Sequence, residues 1–371
     1  MDAEFLKNLL IAMNLSPELS REAACRLGAA VPEWLGTTPE RVTEVSPQYG
    51  VKPRFLRAAL RCARDPRPPS QRERTLAQQH GASLITRLDD DYPRALFDLD
   101  LPPPVLYVRG RLPGRPAISI VGSRKTDPYG IEVAESFSSE LSASGLAIVS
   151  GLALGVDSAA HRGCLAADGQ TVAVAGCGVD VDYPRSNRLL AQQIPSHGAI
   201  VSEFPIGTQP EPRNFPVRNR IIAALGSGTL VVRGTPRSGS LITAGAALTL
   251  GRLVWAIPGN IFDSRSMGPN CLIRDGAHPV QTPTELIETL PTSIQARLTR
   301  LERSDEQLPD RQDLAKLLQA IPPGSVADQS ALLTATGLAV EKILGLLMEL
   351  EIGGYLKRYP GPAWGRSGSP P

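Results

Sequence analysis

Cysteine is scarce in this chain: five residues in 371, at positions 25, 62, 164, 177 and 271, with no CxxC pair among them. That spacing excludes a zinc ribbon and a disulfide scaffold, and it fits a reducing compartment. Long apolar runs are missing too. No stretch of 18 apolar residues occurs, so no membrane-spanning helix is expected. At the amino terminus Asp2 and Glu4 precede Lys7, and the apolar run that follows is short and broken. It reads as an amphipathic helix and not as a signal peptide, so a soluble cytoplasmic protein is expected. The phosphate-loop signature GxxxxGK(S/T) is absent, which excludes that class of nucleotide hydrolase. Charge of either sign is nearly balanced, at 39 Lys and Arg against 37 Asp and Glu. A histone-like coat is thereby excluded, and any cationic surface has to be local.

What is present begins with a 42% hydrophobic fraction, enough for a sizeable core. Residues 1–65 read as short helices punctuated by Pro17, Pro32, Pro39, Pro47 and Pro53. Residues 66–72, rich in proline, read as a semi-rigid linker. From 73 to 290 apolar runs alternate with amphipathic ones. The strand candidates are 117–121, 147–150, 171–175, 199–203, 229–232 and 253–257. Between them lie helix candidates at 129–142, 156–167, 186–197, 217–224 and 240–250. Continuous apolar strands separated by helices describe a parallel sheet covered on both faces, so the fold class is α/β, a doubly wound, mostly parallel, Rossmann-like sheet. The stretch 84–110 is expected to decorate that sheet. A polar linker at 291–310 leads to a winged-helix-like unit at 311–360, with helices near 313–320, 329–336 and 339–350, then a hairpin. Its last helix carries Glu341, Lys342, Glu349 and Glu351, which favours protein contact or packing over duplex reading. A disordered tail is expected at 361–371.

In open α/β sheets ligands bind beyond the carboxyl ends of the strands. There stand Gly122-Ser123-Arg124, Ser150-Gly151, Gly176-Cys177-Gly178, Tyr183-Pro184-Arg185, Arg237-Ser238-Gly239-Ser240 and Pro258-Gly259. Glycine turns and helix N-termini offer amides to anions. Phe215-Pro216-Val217-Arg218-Asn219-Arg220 places a ring and two guanidiniums within six residues. From Arg213 to Gly276 there are eight arginines and no lysine, against Asp263 and Asp275 alone. Guanidiniums fork onto phosphates and lie on bases, and a phenylalanine ring stacks any base. Together they point to single-stranded nucleic acid.

Rival readings are weaker. Gly176-Cys177-Gly178-Val179-Asp180-Val181 lacks the third glycine of a dinucleotide fingerprint and follows the third strand. Asp157 and His161, at i and i+4, suit a hydrolase or a metal site less well than a structural role, since two ligands do not make a metal site and no GxSxG elbow occurs; Asp157 then bonds free amides and His161 fills the core. Glu203 reads as a loop anchor, paired with a rim arginine, ahead of a general base.

At these residues the chain resembles the DNA-processing protein A family (DprA, or Smf). The matching motifs include Ile120-Val121-Gly122-Ser123-Arg124, Val149-Ser150-Gly151-Leu152-Ala153-Leu154-Gly155-Val156-Asp157, Phe215-Pro216 with Arg218-Asn219-Arg220, Ser238-Gly239-Ser240-Leu241-Ile242-Thr243 and Pro258-Gly259. The resemblance covers about residues 80–280. It implies an extended Rossmann-like domain without catalysis or cofactor, which binds single-stranded DNA, forms homodimers and loads the RecA recombinase during natural transformation. Small flanking domains are also implied, of SAM or helix-hairpin-helix type at residues 1–65 and winged-helix type at 311–360. Carried over by motif, Gly122, Ser123, Arg124, Ser150, Gly151 and Arg185 form the phosphate pocket. Phe215 stacks a base, Arg218, Asn219 and Arg220 line the groove, and Arg237, Ser238, Gly239, Ser240 and Thr243 meet the backbone. Where the family ends its fifth strand in Val-Glu-Ala, this chain has Val232-Arg233-Gly234, and the added base is expected to strengthen anion binding. Ile287 and Leu290 suit a dimer interface or the core equally. The alternative to a strand binder is a nucleotide or nucleoside-phosphate hydrolase of Rossmann-like fold.

Overall fold

Local signals set most element boundaries in the computed structural model, which describes residues 2–298, 312–321, 326–352, 355–359 and 361–366. Helix α1 (Ala3–Leu15) starts at Asp2, whose carboxylate accepts from the Glu4 amide at 3.1 Å. Ser20 caps α2 (Arg21–Ala29) in the same way. Next come α3 (Pro53–Cys62) and α4 (Arg67–Gln79), each led by proline in its first turn, where the missing N–H costs no helix bond. The proline-rich linker expected at 66–72 is therefore corrected. Pro68 and Pro69 open a helix, Ser70 is fully buried and donates to Asn8 Oδ1 at 2.6 Å, and the buried Glu73 accepts from the Ile206 amide.

The sheet follows: β1 (Ala82–Thr86), β2 (Val105–Gly110), β3 (Ala117–Val121), α5 (Pro128–Ala143), β4 (Ala147–Ser150), α6 (Val156–Ala166), β5 (Thr171–Val174), α7 (Arg188–His197), β6 (Gly198–Ser202), α8 (Asn214–Leu225), β7 (Gly228–Val231), α9 (Gly239–Thr249), β8 (Leu253–Ala256), α10 (Met267–Arg274), β9 (His278–Pro279) and α11 (Pro283–Glu288). The strand order is β1-β2-β6-β5-β4-β3-β7-β8-β9. From β6 to β9 the pairs are parallel, whereas β2 runs antiparallel to β6 and β1 to β2. The segment expected to decorate the sheet instead extends it by two antiparallel strands. Pro102 to Pro104 lie just before β2, outside the ladder, so they cost it no hydrogen bond.

Helices cover both faces. Ala134, Phe137 and Leu141 of α5 join Val156 and Ala159 of α6 under Ile118, Ile120 and Ile148. Ile221 and Ile222 of α8 and Ala244 of α9 pack under Val121, Val149 and Val231. Leu9, Leu27, Trp34 and Leu56 of the amino-terminal helices share a third cluster with Val105, Tyr107 and Ile200, which puts that helical segment in the same compact unit as the sheet, Met1–Thr299. Leu290 is 3% exposed and packs inward, with Ile287 against the same cluster. Among the described residues no helix is long and apolar enough to cross a membrane.

The second unit, Arg300–Pro371, contains α12 (Gln312–Gln319), β10 (Val326–Asp328), α13 (Gln329–Thr336), α14 (Val340–Ile352), β11 (Leu356–Tyr359) and β12 (Ala363–Arg366). Its three-stranded antiparallel sheet runs β10-β12-β11 around Leu317, Leu346 and Trp364. The tail expected to be disordered from 361 supplies β12, because Trp364 is 5% exposed and anchors that strand in the small core. Of the linker expected at 291–310, residues 299–310 lie outside the described residues, and Thr292–Gln295 form a helical turn.

Candidate nucleic-acid interface

Strand order reverses at β3, which pairs with β4 on one side and β7 on the other. Chains leaving neighbouring strands there diverge to opposite faces and open a crevice at the carboxyl ends. The loop Gly122-Ser123-Arg124 leaves β3 at this point. It is braced by the Ser123 amide, which donates to the Arg233 carbonyl at 2.7 Å, and by the Lys125 amide, which donates to Ser123 Oγ at 3.1 Å. Arg124 and Lys125 are exposed.

Phe215 sits in the first turn of α8, with its ring on the backbone after β5. A Cβ at Gly176 would stand 2.9 Å from that ring, so only glycine leaves the seat open. The Arg124 guanidinium lies 4.9 Å from the ring centroid, and the Tyr183 ring lies 5.5 Å away, tilted by 39°. Tyr183 is 41% exposed and Arg185, two residues on, is exposed. Two rings and a stacked guanidinium meet here, flanked by a further arginine, so the platform combines π-faces with positive charge. Tyr183 and Gly176 were not among the expected site residues. The Tyr183-Pro184-Arg185 and Gly176-Cys177-Gly178 runs were their visible signals, but neither gave a hint that the two rings meet.

Arg218 corrects the sequence expectation. It is 3% exposed and does not line a groove. Its Nη1 donates to the carbonyls of Gly151, at 2.7 Å, and Val174, and its Nε to Asn219 Oδ1 at 3.2 Å. Burial lowers its pKa to about 10, so it stays charged near neutrality. Beside it, burial raises the Asp157 pKa, against the Arg218 charge and the amides of Ala153 and Gly151 that favour the carboxylate. A Cβ at Gly151 would come within 2.6 Å of the Asp157 carboxylate and 2.8 Å of the Arg218 guanidinium. Arg218 and Asp157 thus fix the strand-end loops beneath the platform. His161 is fully buried, with Nδ1 2.7 Å from Thr171 Oγ1, and burial takes its pKa down to about 3. The Thr171 hydroxyl donates to the Ile148 carbonyl, which leaves His161 as the neutral Nδ1–H donor. His161 therefore fills the core.

Other expected site residues are also taken up by the fold. Ser150 is buried and donates to the Ile120 carbonyl at 2.7 Å. Ser240 and Thr243 are buried in α9, and Ser240 Oγ donates to Ser238 Oγ, which accepts from the Ser240 amide at the helix cap. Arg220 pairs at 2.6 Å with Glu203, whose side chain is wholly buried, so Glu203 is the loop anchor. Asn219 donates to the Gly239 carbonyl at 3.2 Å, tying α8 to the start of α9, where Arg237, Ser238 and Gly239 remain accessible.

Arg233 brings no free charge to the rim, contrary to expectation. It pairs with Asp127 at 2.9 Å and Asp263 at 3.2 Å, donates to Ser266, and lies 4.6 Å from the Tyr129 ring centroid. Arg265 shares both acids. Arg213, Arg252 and Arg274 pair with Glu211, Asp98 and Asp275. Of the eight arginines between 213 and 276, Arg237 alone is exposed without an ionic partner among the described residues. The unpaired cations at the strand ends are, among the described residues, Arg124, Lys125, Arg185 and Arg237.

The sequence profile of the DNA recombination-mediator protein A family matches residues 83–291. Protein Smf of Synechocystis is 35% identical over 323 residues, covering 78% of this chain and 81% of that protein. DNA processing protein DprA of Streptococcus pneumoniae is 42% identical over 202 residues, covering 54% of this chain and 71% of that one. A solved structure of DNA processing protein A from S. pneumoniae superposes with a TM-score of 0.66 at 32% identity, over 76% of this chain and 98% of that one. That of the Helicobacter pylori protein, a study of its single-stranded DNA binding mode, gives 0.51 at 28% identity, over 56% and 94%.

Proposed function

This chain belongs to the DNA recombination-mediator protein A family (DprA/Smf), and from that premise we propose that its strand-end crevice binds single-stranded DNA without sequence preference. One observation carries the reading: the Arg124 guanidinium stacked 4.9 Å from the half-buried Phe215 ring, with the Tyr183 ring beside it. A base entering there meets two π-faces while its phosphate meets Arg124, Lys125 or Arg185. Duplex DNA hides its base faces, so the platform discriminates between the two forms. The H. pylori relative, studied for its single-stranded DNA binding mode, supports the assignment.

The protein would act as a binder and not as a hydrolase. Its buried histidine, His161, lies against Thr171 at the start of β5, neutral and sealed from solvent, and Glu203 is committed to Arg220. Loading of the RecA recombinase onto the bound strand during transformation, with the protein as a homodimer, completes the proposal. A dimer would join two grooves and raise avidity.

Fluorescence anisotropy tests the site, with a labelled mixed-sequence single strand and a duplex of equal length. Wild type should prefer the single strand. Phe215→Ala should remove about 1–3 kcal/mol of that preference. Arg124→Ala should weaken binding to every sequence and flatten the salt slope by about one. Equal wild-type affinity for the two forms would overturn the assignment.

A further inference from the structure

The densest cationic segment of the chain lies outside the crevice. Between Val51 and His80 there are eight cations (Lys52, Arg54, Arg57, Arg61, Arg64, Arg67, Arg72 and Arg74) and two acids, Asp65 and Glu73. Glu73 is buried and occupied by the Ile206 amide, so it neutralises little of that charge at the surface. Helix α3 turns Leu56 and Ala59 into the core. Arg54, Arg57 and Arg61, at i, i+3 and i+7, share the outward face, and all three are exposed. Arg64 continues the series in the turn that follows.

These side chains are largely unpaired. Arg61 meets Glu18 across the surface, and Arg74 is 4.0 Å from Glu4. Among the described residues Lys52, Arg54, Arg57, Arg64, Arg67 and Arg72 have no acidic partner. Like charge crowded in this way costs stability, and nothing in the fold returns it. The face also has shape. Arg54, Phe55, Arg57 and Arg61 line one side of an open groove of about 560 Å³, opposite Pro17 to Ser20 in the turn between α1 and α2. The Arg54 guanidinium lies 4.6 Å from the Phe55 ring centroid, which holds it at the groove's edge.

We propose that this face of α3 is a second nucleic-acid site, which grips the phosphodiester backbone and does not distinguish single strand from duplex. Its cations supply phosphate contacts, which set affinity and position without reading bases. The groove carries a single half-buried ring, Phe55, with no second ring beside it among the described residues, as Tyr183 stands beside Phe215, so its cations dominate the contact. Arg54 to Arg61 span about 10 Å along the helix, enough to meet several phosphates of a duplex that carries one charge per roughly 1.7 Å. The chain would thereby hold flanking DNA of either form while the crevice selects exposed bases.

The test uses the full chain carrying Arg54→Ala, Arg57→Ala and Arg64→Ala, with a labelled duplex and a labelled single strand titrated across a salt series. Duplex affinity should fall and its salt slope should flatten by about three, one for each phosphate no longer neutralised. Single-strand affinity should fall by the same factor, so that the preference for single strands is untouched. The Phe215→Ala and Arg124→Ala double variant should do the reverse, losing the preference while duplex binding still depends on the three arginines. Failure of the crevice assignment would therefore show in the second protein, and failure of this one in the first. An unchanged duplex affinity and salt slope in the triple alanine variant, at a wild-type thermal midpoint, would overturn the proposal. So would a triple lysine variant that binds duplex as weakly as the alanine one, since the charge would then not be the cause.

Discussion

Residues 51–80 and residues 213–276 carry eight cations each against two acids of their own, and tertiary structure treats them differently. In the later region six of the eight arginines meet carboxylates, three of which come from outside the stretch and its flanks: Asp98, Asp127 and Glu203. A seventh, Arg218, is buried against backbone carbonyls. In the earlier region six of the eight reach solvent unpaired among the described residues. The later stretch runs through strand ends and helix starts, where the chain crowds and guanidiniums are needed to satisfy carbonyls and buried acids. The earlier one runs along the outer faces of two helices, where only Glu18 and Glu4 come within reach of it among the described residues. Charge counted along a sequence is therefore not charge on a surface.

Four changes sharpen that contrast. Arg218→Ala should cost the most, about 3–5 kcal/mol, because it strands Asp157 in the interior and leaves the Gly151 and Val174 carbonyls unpaired. Chemical denaturation reads this directly, and a loss below about 1 kcal/mol would mean that Arg218 is not structural. His161, in the same buried layer, gives a pH signature. Its folded pKa lies far below the usual 6.5, so only the unfolded chain takes up its proton between pH 6.5 and about 3. Stability should fall as pH drops through that window, by up to about 1.4 kcal/mol per pH unit, and His161→Gln should remove this slope.

Arg233→Ala should cost roughly 2 kcal/mol, between the buried and surface limits for a broken ion pair, and adding Asp127→Ala should then cost less than it does in the wild-type chain, since their pair is already broken. Both steps are read from the same unfolding curves. The Gly130 amide and Arg233 outweigh burial and hold the Asp127 pKa below its usual value. Its contribution is thus present above about pH 4 and lost as pH falls through the lowered pKa. The smallest effect belongs to the earlier region: Arg57→Ala should change stability by no more than about 0.5 kcal/mol, again by denaturation.

The parallel strands were legible because they are buried on both faces and so are written as short, nearly continuous apolar runs such as Ala117 to Val121 and Ala147 to Ser150. The placement of Phe215 and Arg124 at the strand-end rim was legible because both stand in segments that follow apolar strand runs. Less visible were β1 and β2, since their partners lie elsewhere in the sequence and the proline tract before β2 masks the strand. The helix from Arg67 was hidden by Pro68 and Pro69, which break a helix in its interior but suit its first turn. Arg218 and Arg233 were misplaced because their identity shows that a guanidinium is present and says nothing of what it faces.

By itself the sequence determined the α/β class, the order of strands and helices from β3 to β8, and the family, all of which rest on local periodicity and on short motifs with fixed spacing. Only the tertiary structure decided which arginines are free. It also paired Tyr183 with Phe215, 32 positions apart, and buried Asp157 against Arg218. Each of these depends on contacts between segments distant along the chain, and such contacts exist only once the sheet has brought its strand ends to one rim.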